Sequence, residues 1–295
     1  MAGIRLEFAQ FGDFDSFDII RSDSSMTGIA EIDLPNPIIA GLSTMYYVDT
    51  NVEFGKTYYY KARVWHDGTS KLSSEIKVLA SEYMSLIISD NPIAYYPLNE
   101  LAGNFAADIM SSPANGTIYN CLLGQAVLSN ALGSCYYFNG SSSRIELGSP
   151  SKFLLNQASM ECWVKIIDGN YGGNTLQIGY NTGLRMQLSS TANMIFNQAN
   201  KLSSSSLTND TLYHIVFTCT QTSLSIYING VLDTSLSGGG GWYGIGSVAN
   251  SAIGYSGSFY NNEYLKGYLG HVALYDYALT AERVLAHYNA GVATA

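Results

Sequence analysis

Apolar and polar residues alternate with a period of two over much of the chain, the pattern of strands that rest one face on a core. In the first 80 residues Ile4–Phe8, Ser16–Arg21, Tyr46–Asp49 and Thr57–Trp65 read as short strands; Tyr58, Tyr60, Ala62 and Val64 share one face of the last. Asp67-Gly68 marks a tight hairpin before a run over Ser70–Leu79, and Pro35-Asn36-Pro37 excludes a central strand at that point. Further on, Pro92–Leu98, Cys135–Phe138, Ser143–Leu147, Met160–Ile167, Thr175–Tyr180, Leu184–Leu188, Leu212–Thr220, Ser223–Ile228 and Leu269–Tyr277 predict strands, with hairpin signals at Asn139-Gly140 and Asn229-Gly230. The period then lengthens. Thr280–Tyr288 predicts a helix with Thr280 as N-cap, Val284, Leu285 and Tyr288 on its apolar face, and Gly291 as its end.

Composition agrees with an all-β chain. The 295 residues include 23 Tyr and 29 Gly, and only 13% are charged. A 47% hydrophobic content excludes a disordered chain. A net charge of −9 with 14 Lys and Arg excludes a nucleic-acid partner, and no apolar run approaches the roughly 18 residues needed to insert in a membrane. The opening Met1–Glu7 has no charged head followed by an apolar run, so it predicts no signal peptide and synthesis in a cytoplasm. Residues 1–80 hold 7 Lys/Arg and 11 Asp/Glu, whereas residues 81–295 hold 7 and 12. That fall in charge density predicts a boundary at 80–85, hence domains over 1–80 and 85–295.

Two family resemblances follow from particular motifs. Phe54–Val64, with Tyr58 at the start of its strand, resembles a fibronectin type III domain, which implies a small Ig-like sandwich and a structural role for the Tyr58 hydroxyl in capping the preceding loop. The blocks Pro92–Glu100, Asp108 with Asn115-Gly116-Thr117, Tyr137–Ile145, Glu161–Lys165, Leu212–Phe217, Ser225–Gly230 and Gly267–Glu282 resemble, in order, a laminin G-like domain of the concanavalin A-like lectin/glucanase superfamily. That implies a larger jelly-roll sandwich with one short C-terminal helix. The closing segment Gly270–Leu279 resembles such domains in tailed-phage virion proteins. The implied setting is a virion, with capsid or tail subunits and host-surface glycans as partners. Two roles stay open: a surface module that docks by its N-terminal domain and displays the larger one for host binding, or a structural head or tail decoration protein without glycan binding.

The candidate chemistry points to binding rather than catalysis. Hydrolases of the superfamily use paired carboxylates about 5 Å apart. Glu31-Ile32-Asp33-Leu34 opens like their Glu-x-Asp-x-Glu motif, but the third acid is missing, and no such run occurs after residue 80. No catalytic residue and no cofactor is expected. Asp108 is the best calcium candidate, yet His271 stands where many family members have Asp, so no metal site is expected and Asp108 reads as a turn cap. His66, His214, His271 and His287 lack metal-ligand spacing. Cys162 and Cys219 read as core residues, while Cys121 and Cys135 could be free or bridged. Sugars stack on aromatic rings and bond to amides, so loop aromatics beside Asn or Gly are the ligand candidates. They are Asn170, Tyr171 and Asn174 in one cluster, and Trp242, Tyr243, Tyr255, Phe259, Tyr260, Asn261 and Asn262 in another.

Overall fold

The computed structural model of the chain describes residues 4–8, 12–53, 56–125, 128–167, 173–179, 183–196, 199–237, 244–257 and 262–292. They are almost all strands and turns, with two short helices. The chain divides into two compact units, one up to Ser85 and one from Leu86 on. The helix Glu82–Ser89 runs across that division and was not expected; its signal is Ser81, whose Oγ accepts the Met84 N–H at 3.2 Å as an N-cap.

In the first unit, strands Pro37–Leu42, Ser16–Ser22, Thr57–His66 and Thr69–Leu72 form one antiparallel sheet in that order, and Ile76–Leu79 pairs with the first half of Thr57–His66. Ile4–Glu7 pairs with Tyr46–Asp49. Ile4, Leu6, Ile19, Tyr58 and Tyr60 are buried together. The Tyr58 hydroxyl accepts the Glu53 N–H at 2.9 Å, and Tyr60 donates to Asp49 at 2.8 Å. Pro37 opens an edge strand, where a missing N–H breaks no ladder bond. Glu31–Asp33 is a 3-10 turn rather than an alternating strand. The expected Ser70–Leu79 run is two strands, Thr69–Leu72 and Ile76–Leu79.

The second unit is a sandwich. One sheet runs in the order Ala199–Ser206, Thr191–Phe196, Leu184–Leu188, Gly173–Ile178, Ser251–Ile253, Arg144–Gly148, Gly116–Tyr119 and Phe105–Ala106. The other runs Leu122–Gln125, Cys135–Asn139, Lys266–Tyr275, Ala158–Ile166, Leu212–Cys219, Ser223–Ile228 and Val231–Ser237, and Ala94–Tyr96 also pairs with Lys266–Tyr275. Leu176, Ile178, Leu184, Met186, Met194, Phe196, Ile145 and Ile253 from the first sheet pack on Met160, Cys162, Val164, Ile215, Phe217, Leu269 and Val272 from the second. The Asn139-Gly140 signal is not a hairpin, because the strands on either side of it belong to different sheets. Instead the Asn139 Oδ1 accepts the N–H groups of Ser141, Ser142 and Ser143 and turns the chain from one sheet to the other. Cys162 and Cys219 are buried core thiols, and burial pushes the Cys162 thiol up to about 12. No disulfide joins Cys121 to Cys135.

The C-terminal helix, Ala281–Val292, begins as expected, with Thr280 Oγ1 accepting the Arg283 N–H at 3.3 Å. Its inner face differs from expectation. Val284, His287, Ala290 and Gly291 are buried, whereas Leu285 is exposed. Gly291 lies within the helix rather than ending it. A Cβ there would collide with the Trp163 ring, so glycine is required by close approach and not by chain reversal.

Beneath this helix lies a network that is buried at Glu161, His214 and His287 and reaches the surface at Asp90 and Arg283. Glu161, fully buried in Ala158–Ile166, accepts from His214 Nε2 at 2.8 Å and Tyr275 Oη at 3.1 Å, and its Oε2 lies 3.0 Å from His287 Nδ1. His287 Nε2 lies 2.8 Å from Asp90, which in turn holds Arg283 through two bonds of 2.8 and 2.6 Å. Burial alone pushes the Glu161 carboxyl up, but the His287 charge and the bonds from His214 and His287 outweigh it and hold it well below the ordinary carboxylate value. Burial pulls His287 down, and the charge and bonds of Glu161 and Asp90 outweigh that and raise it. Breaking such a buried pair costs about 3–5 kcal/mol.

Two outcomes are expected. Gly291→Ala lowers stability by about 1–3 kcal/mol in denaturant unfolding, because the added methyl has no room against Trp163. The contribution of Glu161 is present above its ordinary value of 4.5 and lost as pH falls. That of His287 is present below its ordinary 6.5 and lost as pH rises through its raised folded value. The Tm deficit of His287→Asn relative to the wild type is therefore largest between about 4.5 and 6.5 and shrinks at higher pH. A deficit that stays flat from about pH 5 to about pH 9 contradicts the charged pairing of His287 with Glu161 and Asp90.

Candidate functional site

Alternation gives the first sheet of the sandwich a wet outer face. In Leu184–Leu188 the residues Leu184, Met186 and Leu188 enter the core, so Arg185 and Gln187 face out. The same rule turns Asn193 and Ile195 outward from Thr191–Phe196, Arg144 and Glu146 from Arg144–Gly148, and Thr117 and Tyr119 from Gly116–Tyr119. Register aligns these side chains in rows. Thr117 pairs with Glu146, Glu146 with Ala252, Ala252 with Gln177, Gln177 with Arg185, and Arg185 with Ile195. Tyr119 pairs with Arg144, whose guanidinium lies 4.1 Å from the centre of the Tyr119 ring, a cation–π contact.

A small hairpin crosses this face. After Ser251–Ile253, Gly254 at φ +75° turns the chain away from the sheet, and Tyr255–Gly257 pairs with Asn262–Tyr264 alone. The rings of Tyr255 and Tyr264 lie 4.6 Å apart. The hairpin is pinned to the sheet by three polar contacts. Arg185 Nη1 donates to Ser256 Oγ at 3.0 Å and lies 3.4 Å from Glu263 Oε2, and Asn174 Nδ2 donates to the same oxygen at 2.9 Å. Arg144 is likewise compensated, its Nε 2.7 Å from Glu146 Oε1. The face thus offers tyrosine rings, two guanidinium–carboxylate pairs and side-chain amides on a rigid sheet, a combination suited to stacking and hydrogen bonding.

The expected ligand residues fare unevenly. Asn170, Tyr171, Trp242, Tyr243, Phe259, Tyr260 and Asn261 lie outside the described residues. Asn262 is in the second strand of the hairpin, opposite Gly257. Tyr255 is on the hairpin as part of the face. Asn174 is not a loop residue; it is buried in Gly173–Ile178 with its amide on Glu263. Loop aromatics drew the expectation, so Tyr119, Arg144, Glu146, Arg185, Gln187 and Asn193 were passed over. Their signal was the polar half of alternating strands, which reads the same as any solvated face.

Asp108 has its carboxylate filled. Oδ1 accepts the N–H groups of Tyr95 and Met110, and Oδ2 accepts that of Ala114 and the Lys152 ammonium at 2.7 Å. The same ammonium donates to the carbonyls of Ile93 and Ser112. His271 is buried, bonded to Tyr95 Oη at 2.6 Å and to the Leu132 carbonyl, and burial pulls it down to about 4. His214 and His287 belong to the Glu161 network. Exposed His66 stands beside Asp15 and Asp67 at a hairpin tip of the first unit.

Residues 139–285 match the family model of the concanavalin A-like lectin/glucanases superfamily. No curated protein matches the sequence. Among solved structures, the ligand-binding domain of botulinum neurotoxin serotype D in complex with N-acetylneuraminic acid is similar at 15% identity and a TM-score of 0.53, over 69% of this chain and 52% of that one. The binding domain of botulinum neurotoxin DC in complex with rat synaptotagmin II is similar at 13% identity and a TM-score of 0.53, over 70% and 53%. The chain spans about half the length of these domains, and identities this low show the fold alone. Fold, family match and core together make residues 139–285 a laminin G-like domain of the concanavalin A-like lectin/glucanases superfamily.

Proposed function

We propose that this protein is a non-catalytic recognition module that binds carbohydrate through the outer face of the Arg144–Gly148 and Leu184–Leu188 sheet. The observation that carries the reading is the Tyr119–Arg144–Glu146 row beside the Tyr255–Tyr264 hairpin: an exposed ring and two half-buried ones next to fixed donors and acceptors on a rigid sheet. Sugars present an apolar face to such rings and hydroxyls to such polar groups. The solved neighbours are binding domains, one of them in complex with a sugar, which agrees with this role. Absence of catalysis is supported by the two carboxylates of the face, Glu146 and Glu263, each paired with an arginine rather than opposed across a cleft.

The first unit, read as a fibronectin type III-like domain on its Tyr58 corner, serves as the docking half on a phage virion. Support for docking is the exposure of Ile32, at 92%, with Ile29 beside it and Met45, Tyr46 and Ile76 also exposed. The virion setting itself rests on the resemblance of Gly270–Leu279 to domains of tailed-phage virion proteins. A decoration protein without glycan binding is the competing role, and one experiment separates them.

On a glycan array the full chain is expected to bind saturably, and Tyr119→Ala with Tyr255→Ala is expected to weaken that binding at least tenfold, in line with about 1–3 kcal/mol for aromatic contacts at a binding surface. Absence of binding to every glycan, with the protein still associating with purified particles, replaces the lectin reading with the decoration one.

A further inference from the structure

We infer that the site takes neutral glycans and discriminates against sialylated or uronic ones, an inference that rests on the carbohydrate-binding reading above. Recognition of an anionic sugar needs a guanidinium or ammonium with its charge available. Among the described residues, the outer face carries two cations, and neither is available. Arg144 holds Glu146 at 2.7 Å and covers the Tyr119 ring at 4.1 Å. Arg185 lies against Glu263 at 3.4 Å and donates to Ser256 at 3.0 Å. A ligand carboxylate would have to displace a protein carboxylate from either one, or sit beside it at the cost of like-charge repulsion.

The remaining groups suit uncharged hydroxyls. Gln187, Asn193 and Thr117 present amides and a hydroxyl along the same rows, each able to donate and accept. Gln177 stands outside this set, because it is fully buried with Nε2 donating to the Asn250 carbonyl at 2.8 Å. The field of the whole chain acts in the same sense, because a net charge of −9 disfavours the approach of anions. Glu146 is then a specificity-determining residue: it excludes acidic sugars by occupying Arg144, and Glu263 does the same at Arg185.

The test pairs each neutral oligosaccharide with its acidic counterpart, lactose with sialyllactose and galactan with polygalacturonate fragments, against the full-length wild type and Glu146→Gln. Wild type is expected to bind neutral members at least about tenfold more tightly than their acidic partners. Glu146→Gln, an exposed position whose loss leaves the core intact, is expected to narrow that ratio several-fold by freeing Arg144, with the gain reduced by added salt. Acidic members bound as tightly as neutral ones by the wild type overturn the inference and leave the lectin reading in place. An unchanged ratio in Glu146→Gln overturns the assigned role of that residue. Binding of neither class overturns both the inference and the reading it rests on.

Discussion

Side chains of an extended strand point alternately to its two faces, and the candidate site depends on that constraint. In the sheet containing Leu184–Leu188, every second residue is committed to a dry core shared with the opposite sheet. The intervening residues are thereby fixed in direction and spacing without any cost beyond the fold itself. Arg144, Glu146, Arg185 and Asn193 are polar because they face out, and they lie in rows because register aligns their strands. A one-residue slip in any of these strands would bury the polar set and expose the core set. The polar outer face and the core are thus two consequences of one register.

The opposite sheet solves a different problem. Glu161 obeys alternation, pointing to the face opposite Met160 and Cys162, but the helix covers that face so no water reaches the carboxylate, and the chain answers with donors from separate elements: His214 from the neighbouring strand, Tyr275 from the strand on the other side, and His287 from the helix. Asp90 and Arg283 extend the network. Packing seats the helix through Val284, Ala290 and Gly291, with Gly291 closely set on the Trp163 indole. The charged network adds direction, fixing which face of the helix meets the sheet.

Much of the fold could be read from the residues. The strands Leu184–Leu188 and Ser223–Ile228 fall where alternation placed them, and Thr280 caps the last helix. What escaped is what depends on partners distant in sequence. Asn139-Gly140 looks like a hairpin because local turn chemistry is the same whether the chain returns to its own sheet or crosses to the other. Gly291 looks like a helix end because nothing nearby in sequence announces Trp163. The outer face escaped for a related reason: single polar residues in alternating strands gain meaning only when register sets them side by side, whereas aromatic loops attract notice one at a time. Asn174 illustrates both, for its strand position and its bond to Glu263 depend on a hairpin some ninety residues later.

The most direct measurement is amide chemical-shift mapping of the full chain during titration with a neutral oligosaccharide that it binds. Shifts confined to Tyr119, Arg144, Glu146, Gln187, Asn193 and the strands of the Tyr255–Tyr264 hairpin are the expected result. Shifts that cluster elsewhere, in the first unit or around the C-terminal helix, would contradict the placement of the site on the outer face.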